Sequence, residues 1–329
     1  MSFAEIIMNP GSNQASLSWS SEEANQLLNG DVSAAAYSEN EPSPQGSTKV
    51  STSIRSANGV ALSAPAKTVQ IFDTSSYSHQ PSVNARAALV MDGQTGEVLY
   101  SKNSNTAFPI ASITKLMTAV VIADARLNMS ENITLQQIDF AGAGGKNSSS
   151  TLRAGDSMNR AEALLFALMK SENPAAAALA RTYPGGRAAF VAAMNAKAKA
   201  LGMHSSRYVE SSGLDPRNVS SARDLGILVN TAAQYGLIRQ FSTTPSYDFN
   251  LGYRVLKSNN TNALVRNGGW NINISKTGYI NEAGRCVVMH TTLNNRPAVV
   301  VLLGADTSAA RTSDATRLMT WVTQLPKRI

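Results

Sequence analysis

The sequence predicts an α+β protein, an antiparallel β-sheet with helices on both faces, preceded by a disordered N-terminal arm. Three observations predict it. Short apolar runs separated by turn residues stand at both ends of the region after residue 80, and Ala-rich stretches of helical period stand between them. The first 80 residues carry no sustained apolar period of either kind.

Residues 1–80 are dense in Ser, Asn, Gln, Gly and Pro, as in GSNQASLSWSSEE. Such a segment buries too little apolar surface to offset the entropy of ordering it. The chain therefore divides into an arm, 1–80, and one folded domain, 81–329. The start, MSFAEIIMNPG, has no basic segment and too short an apolar run for a secretory signal. No run approaches 18 consecutive apolar residues, so no transmembrane segment is expected.

The folded domain opens with 87–91 (AALVM) and 97–101 (EVLYS), joined by Asp92-Gly93 and Thr95-Gly96 as a β-hairpin. In 112–127, SITKLMTAVVIADARL, apolar residues at 113, 116, 117, 120 and 121 recur at helical spacing. Ser112 begins that helix, where a serine is also a preferred cap. Residues 161–170 (AEALLFALMK) form a second helix, and Pro174 suits the first turn of a third. A fourth, 188–201, ends at Gly202, and a fifth, 222–235, ends at Gly236. Strands follow at 272–275, 285–293 and 298–303, and 307–325 closes the chain as a helix.

Charge divides with the domains. The arm has three basic residues against seven acidic, a net of −4, and the remainder 26 against 15, a net of +11. The folded part is thus basic and favours anionic partners through salt-sensitive attraction. No nucleic-acid-binding signature or compact Lys/Arg run occurs, so a nucleic-acid partner is not expected. The single cysteine, Cys286, excludes an internal disulfide and reads as a buried strand thiol. His79, His204 and His290 are isolated, without HExxH or CxxC, so neither a metal nor another cofactor is expected.

Three short motifs carry chemistry. Ser112-Ile113-Thr114-Lys115 is an S-x-x-K, which on a helix places the lysine amine one turn from the serine hydroxyl. A serine needs an adjacent base to become nucleophilic, and a lysine serves when burial and neighbouring cations lower its pKa. Lys276-Thr277-Gly278 is a K-T-G that ends the apolar run NINIS. A strand edge there can align a peptide backbone, with Lys276 and Thr277 binding a carboxylate and Gly278 admitting close approach. Ser-Glu-Asn occurs at Ser38, Ser130 and Ser171. Ser38 lies in the arm and Ser130 follows the first helix too closely to fold back over it. Ser171-Glu172-Asn173 stands at a helix junction and is the candidate.

S-x-x-K, S-D-N and K-T-G in that order form the signature of β-lactamases and penicillin-binding proteins, here with Glu172 in the middle position. The surrounding text, SITKLMTA, LLFALMKSEN, SSGLDPRN, NTNALVR and KTGYINEAGRCVVM, resembles the low-molecular-mass serine D-Ala-D-Ala peptidases. The resemblance implies that 81–329 is a serine DD-peptidase domain with Ser112 as acylated nucleophile and Lys115 as general base. It implies Ser171 as proton relay and Asn173 as the group holding the lysine and the substrate amide. Lys276 and Thr277 would bind the substrate carboxylate, and the backbone N–H groups of Ser112 and Tyr279 would form the oxyanion hole. Peptidoglycan peptides as substrate, β-lactams as acylating inhibitors and a periplasmic location follow from the same resemblance.

Endopeptidase action on the D-Ala–diamino acid crosslink and carboxypeptidase action on a terminal D-Ala are the rival activities. About fifty residues follow Lys276, with no room for a further β-rich domain, and this favours the endopeptidase. A β-lactamase would need a deacylating carboxylate in an E-x-x-L-N element, whereas the nearest, Glu210, stands in ESSGL. A non-catalytic penicillin-sensing module would not need all of Ser112, Lys115, Ser171, Asn173 and Lys276.

Overall fold

The computed structural model describes residues 80–142 and 150–326. All of the expected arm except Gln80 lies outside the described residues. In chain order the strands are β1 (Ala87–Asp92), β2 (Val98–Lys102), β3 (Phe108–Pro109), β4 (Asn132–Thr134), β5 (Ser157–Asn159) and β6 (Val219–Ser220). They continue with β7 (Ser246–Asn250), β8 (Val255–Asn259), β9 (Asn271–Ile280), β10 (Gly284–Leu293) and β11 (Arg296–Ala305). The helices are α1 (Thr114–Asp124), α2 (Arg160–Leu165), α3 (Asn173–Arg181), α4 (Gly186–Ala200), α5 (Ala222–Ala232), α6 (Gly236–Ser242), α7 (Ala263–Asn267) and α8 (Ser308–Gln324).

Five strands make one sheet in the order β2-β1-β11-β10-β9, each antiparallel to its neighbour. The pairs β3/β6, β4/β5 and β7/β8 are short ribbons outside it. Alternation along β11 decides what each face covers. Val299, Val301 and Leu303 pack with Leu89, Val288 and helices α1 to α6, while Ala298, Val300 and Leu302 pack with Leu318, Met319, Trp321 and Val322 of α8. Helices therefore cover both faces, as the sequence predicts. Each fully buried Val or Leu contributes on the order of 1.5–3 kcal/mol, so the two apolar faces of β11 fix its register.

The structure corrects several local expectations. The helix expected from Ser112 begins as a 3₁₀ turn, Ala111–Ile113, and becomes α-helical only at Thr114; no side chain caps either start, so Ser112 is not a cap. The second helix ends at Leu165 and widens into a π-helical segment, Phe166–Lys170. Gly236 opens α6 rather than ending a helix that has already stopped at Ala232. The K-T-G is not a strand end: β9 runs on to Ile280 because β10 pairs with it through Cys286↔Gly278 and Arg285↔Tyr279. The β7–β8 hairpin was not anticipated, since only Phe249 and Ser258 of its strands are buried.

Candidate active site

The turn that carries Ser112 is held in an unusual shape. Ala111 has φ 47°, left-handed for a residue with a side chain, and such conformations persist where the surroundings impose them. Gly213 (φ +89°) lies against it so closely that a Cβ there would come within 1.9 Å of the Ala111 carbonyl oxygen. The Ser112 turn and the loop around residue 213 are thus packed backbone to backbone.

One helical turn on, Lys115 is fully buried. Its Nζ donates to Ser112 Oγ at 2.9 Å, Asn173 Oδ1 at 2.5 Å and the Ser212 carbonyl at 2.7 Å. Those three bonds use every proton an ammonium carries. Burial pushes its pKa down to about 7, while Glu210 and Glu172 oppose the shift. A neutral amine can accept the Ser112 proton and still donate to Asn173 and Ser212.

The π-helical segment ends at Ser171, which takes a left-handed conformation (φ 65°, ψ 31°) and turns the chain into α3. Such bulges recur at functional sites because they re-aim a side chain. Ser171 Oγ accepts from Lys276 Nζ at 2.9 Å, and the same nitrogen also donates to the Thr277 carbonyl at 2.8 Å. Burial holds the Lys276 pKa well below the usual lysine range, with further lowering by Lys115 and Arg311. Thr277 Oγ1 donates to Thr261 Oγ1 at 2.6 Å. A Cβ on Gly278 would lie 3.0 Å from Ser112 N and from the Ile110 carbonyl oxygen, so the missing side chain lets β9 meet the Ser112 turn. Tyr279 follows, half exposed, its ring 3.5 Å from the Arg285 guanidinium.

The structure thus brings Ser112, Lys115, Ser171, Asn173 and the 276–278 segment into one cluster beside β9, an outermost strand of the sheet. A free strand edge can take up an extended peptide by main-chain hydrogen bonds. Several contributors escaped sequence reasoning. Ser212 acts through a carbonyl, which no side-chain motif reveals. Arg311, 8 % exposed on α8, is a second buried cation near Lys276, and its own pKa is lowered by burial and by Arg285. Glu210 accepts from the Ser212 and Gly213 N–H groups at 2.5 and 2.6 Å and from Asn218 Nδ2 at 2.8 Å, so its carboxylate braces the loop that receives Lys115. Among the described residues no group of His, Cys, Asp or Glu is gathered as a metal cage, and no helix is long and apolar enough to cross a membrane.

A serine and a buried lysine on one turn, beside a lysine on an edge strand between two helical layers, have the arrangement of a serine hydrolase. The chain belongs to the D-alanyl-D-alanine carboxypeptidase family, peptidase S11, whose model matches residues 74–307. It is 47% identical over 250 residues to a D-alanyl-D-alanine endopeptidase of Pseudomonas aeruginosa, covering 74% of this chain and 78% of that protein. To the D-alanyl-D-alanine endopeptidase of Escherichia coli it is 45% identical over 246 residues, with the same two coverages of 74% and 78%. The crystal structure of the Streptomyces K15 DD-transpeptidase superposes with a TM-score of 0.69 at 29% identity, covering 75% of this chain and 100% of that one.

Proposed function

We propose that this serine DD-peptidase is an endopeptidase that cuts the D-Ala–diamino acid crosslink of peptidoglycan in the periplasm, and that β-lactams acylate it. The observation that carries the reading is Lys115, buried and bonded to Ser112 Oγ, with a pKa near neutrality. The similarity to two proteins named endopeptidases favours that branch over the carboxypeptidase.

In the proposed mechanism Ser112 Oγ attacks the D-Ala carbonyl carbon while Lys115 Nζ takes the hydroxyl proton. Charge developing on the carbonyl oxygen is met by the N–H groups of Ser112 and Tyr279, a stabilisation worth on the order of 3–4 kcal/mol per donor in such sites. The C–N bond breaks as the leaving nitrogen takes a proton through Ser171, which is resupplied from the lysine pair. Lys276, Thr277 and the nearby Arg311 offer positive charge and a hydroxyl to the carboxylate beside the scissile bond. Water then attacks the ester, its proton passing to Lys115, and Ser112 is released. A β-lactam enters by the same attack, its ring amide standing for the peptide bond.

Incubation with crosslinked and with uncrosslinked muropeptides, resolved by mass, tests the reading. Conversion of crosslinked dimers into monomers is expected. Release of terminal D-Ala with crosslinks intact would make the protein a carboxypeptidase instead.

A further inference from the structure

Glu172 is a carboxylate in an unusual place. It lies between Ser171 and Asn173, is 5 % exposed, and reaches across to another segment. Its Oε2 accepts from Ser150 Oγ at 2.5 Å, and its Oε1 from Thr151 Oγ1 at 2.7 Å and, at 3.4 Å, from Thr151 N–H. Thr151 is held from its other side as well, because its carbonyl accepts from Arg254 Nη2 at 3.0 Å. Arg254 also pairs with buried Asp156 at 2.8 Å, and Tyr253 OH donates to the same carboxylate at 2.5 Å. The β7–β8 hairpin and Glu172 therefore grip residues 150–156 between them. Together Ser150, Thr151, Lys170, Ser171 and Glu172 line a polar pocket of about 340 Å³ beside the Ser171 hydroxyl.

We infer that Glu172 is a positioning residue of this site, fixing Ser150 and Thr151 as one wall of the cleft beside Ser171 and presenting a negative charge to the Lys115 ammonium. The inference rests on the proposed acyl-transfer reading. The wall stands on the side where Ser171 would hand a proton to the leaving nitrogen, so a shifted wall weakens binding of the strand that leaves. The charge acts separately from the wall. Lys115 Nζ donates to Asn173 Oδ1 at 2.5 Å, one residue on from Glu172, and to the Ser212 carbonyl at 2.7 Å in the loop that Glu210 braces; both carboxylates favour its protonated form, and its charge in turn disfavours that of Lys276. Removing one carboxylate moves the appearance of the free amine to lower pH.

The test compares wild type, E172Q and T151V in two assays, the pH dependence of β-lactam acylation and the KM and kcat for crosslinked muropeptide. Wild type serves as the check on the underlying reading: if it is not acylated, that reading fails and not the inference alone. With wild type active, E172Q should move the acid-side midpoint of acylation down by about half to one pH unit and raise KM severalfold. T151V keeps the charge, so it should raise KM while its midpoint stays in place. A lower plateau in E172Q with an unmoved midpoint would overturn the inference, since a merely structural residue gives that result. If E172Q does not fold, T151V decides: an unchanged KM overturns the inference.

Discussion

Lys276 Nζ donates to Ser171 Oγ at 2.9 Å, joining a sheet strand to a helix end 105 positions away in the chain. The pair forms a second serine–lysine couple beside Ser112 and Lys115, whose own bond is also 2.9 Å. In the proposed mechanism the first couple supplies the attacking oxygen and its base, and the second serves the departing nitrogen. Ser171→Ala keeps Lys276 and removes only the hydroxyl. Acylation by penicillin should fall by at least about a hundredfold, the usual scale for a lost proton-transfer group. A rate within a few fold of wild type, read by stopped-flow fluorescence, would assign the proton to another donor.

A fluorescent penicillin should label the wild-type protein stoichiometrically, and Ser112→Ala should not be labelled. Lys115→Arg keeps a cation but cannot deprotonate near neutral pH, so acylation should drop by at least about a hundredfold. In the wild type the acylation rate should climb as pH rises through about 7, where Lys115 becomes the free base. A flat profile from pH 5 to 9 would remove Lys115 as the base.

The same lysine links stability to pH. Its folded pKa, about 7, lies below the ordinary 10.5, so between those values the unfolded chain binds more protons than the folded one. The Lys115 contribution to stability is therefore least favourable below pH 7 and rises as pH goes from 7 towards 10.5. The difference in unfolding free energy between wild type and Lys115→Met should move in favour of wild type over that window, by an amount on the order of a few kcal/mol. Urea denaturation at pH 6.5 and 9.5 measures it, and parallel pH dependences would refute it.

Gly278→Ala places a Cβ 3.0 Å from Ser112 N, where the neighbours are backbone and have little freedom to give. Acylation should decrease at least about tenfold, since about an ångström of misplacement costs up to a hundredfold in such sites, with the melting temperature little changed. Gly213→Ala adds both a 1.9 Å overlap and a left-handed φ, so it should lower the melting temperature sharply. Calorimetry beside penicillin labelling separates the two outcomes.

Deleting residues 1–79 should leave penicillin acylation unchanged, because no motif lies in them and, among the described residues, the first buried ones are Val83 and Ala85, packed against α8 and its neighbours. Ala85 N–H donates to Asp314 Oδ2 at 2.9 Å, and Lys102 Nζ donates to the carbonyls of Val83 and Ala85. Extending the deletion through residue 86 should therefore destabilise the domain. Thermal unfolding of the two truncations is the measurement, and loss of acylation in the shorter deletion would show that 1–79 supports the site.

What was legible in the sequence was local or alternating. The Ser112–Lys115 spacing is a helical neighbour relation, and the unbroken apolar run 298–303 (AVVVLL) suits a strand buried on both faces. Contacts such as Lys115 to the Ser212 carbonyl, 97 positions apart, exist only after the layers pack and involve a backbone atom that every residue owns. The sequence predicts a strand that stops at Ser275, where the apolar run ends, and a Gly278 that admits a substrate. In the structure the missing side chain also admits the Ser112 backbone, which is invisible without the partner. The β7–β8 hairpin escaped because a ribbon with one buried apolar residue, Phe249, leaves almost no hydrophobic pattern. In the sequence Glu172 is only the residue in the middle position of its motif, and its bonds to Ser150 and Thr151 form only once the chain is folded.

Two buried lysines held below their ordinary range also bear on thermodynamic linkage. An anionic ligand arriving at Lys276 favours its protonated form, so binding draws hydrogen ions from the solvent and the apparent affinity for a carboxylate weakens as pH rises. In the proposed mechanism, attack by Ser112 favours the opposite state of Lys115. On that reading the optimum for turnover is a compromise between one lysine that holds its ligand best when charged and one that reacts only when neutral.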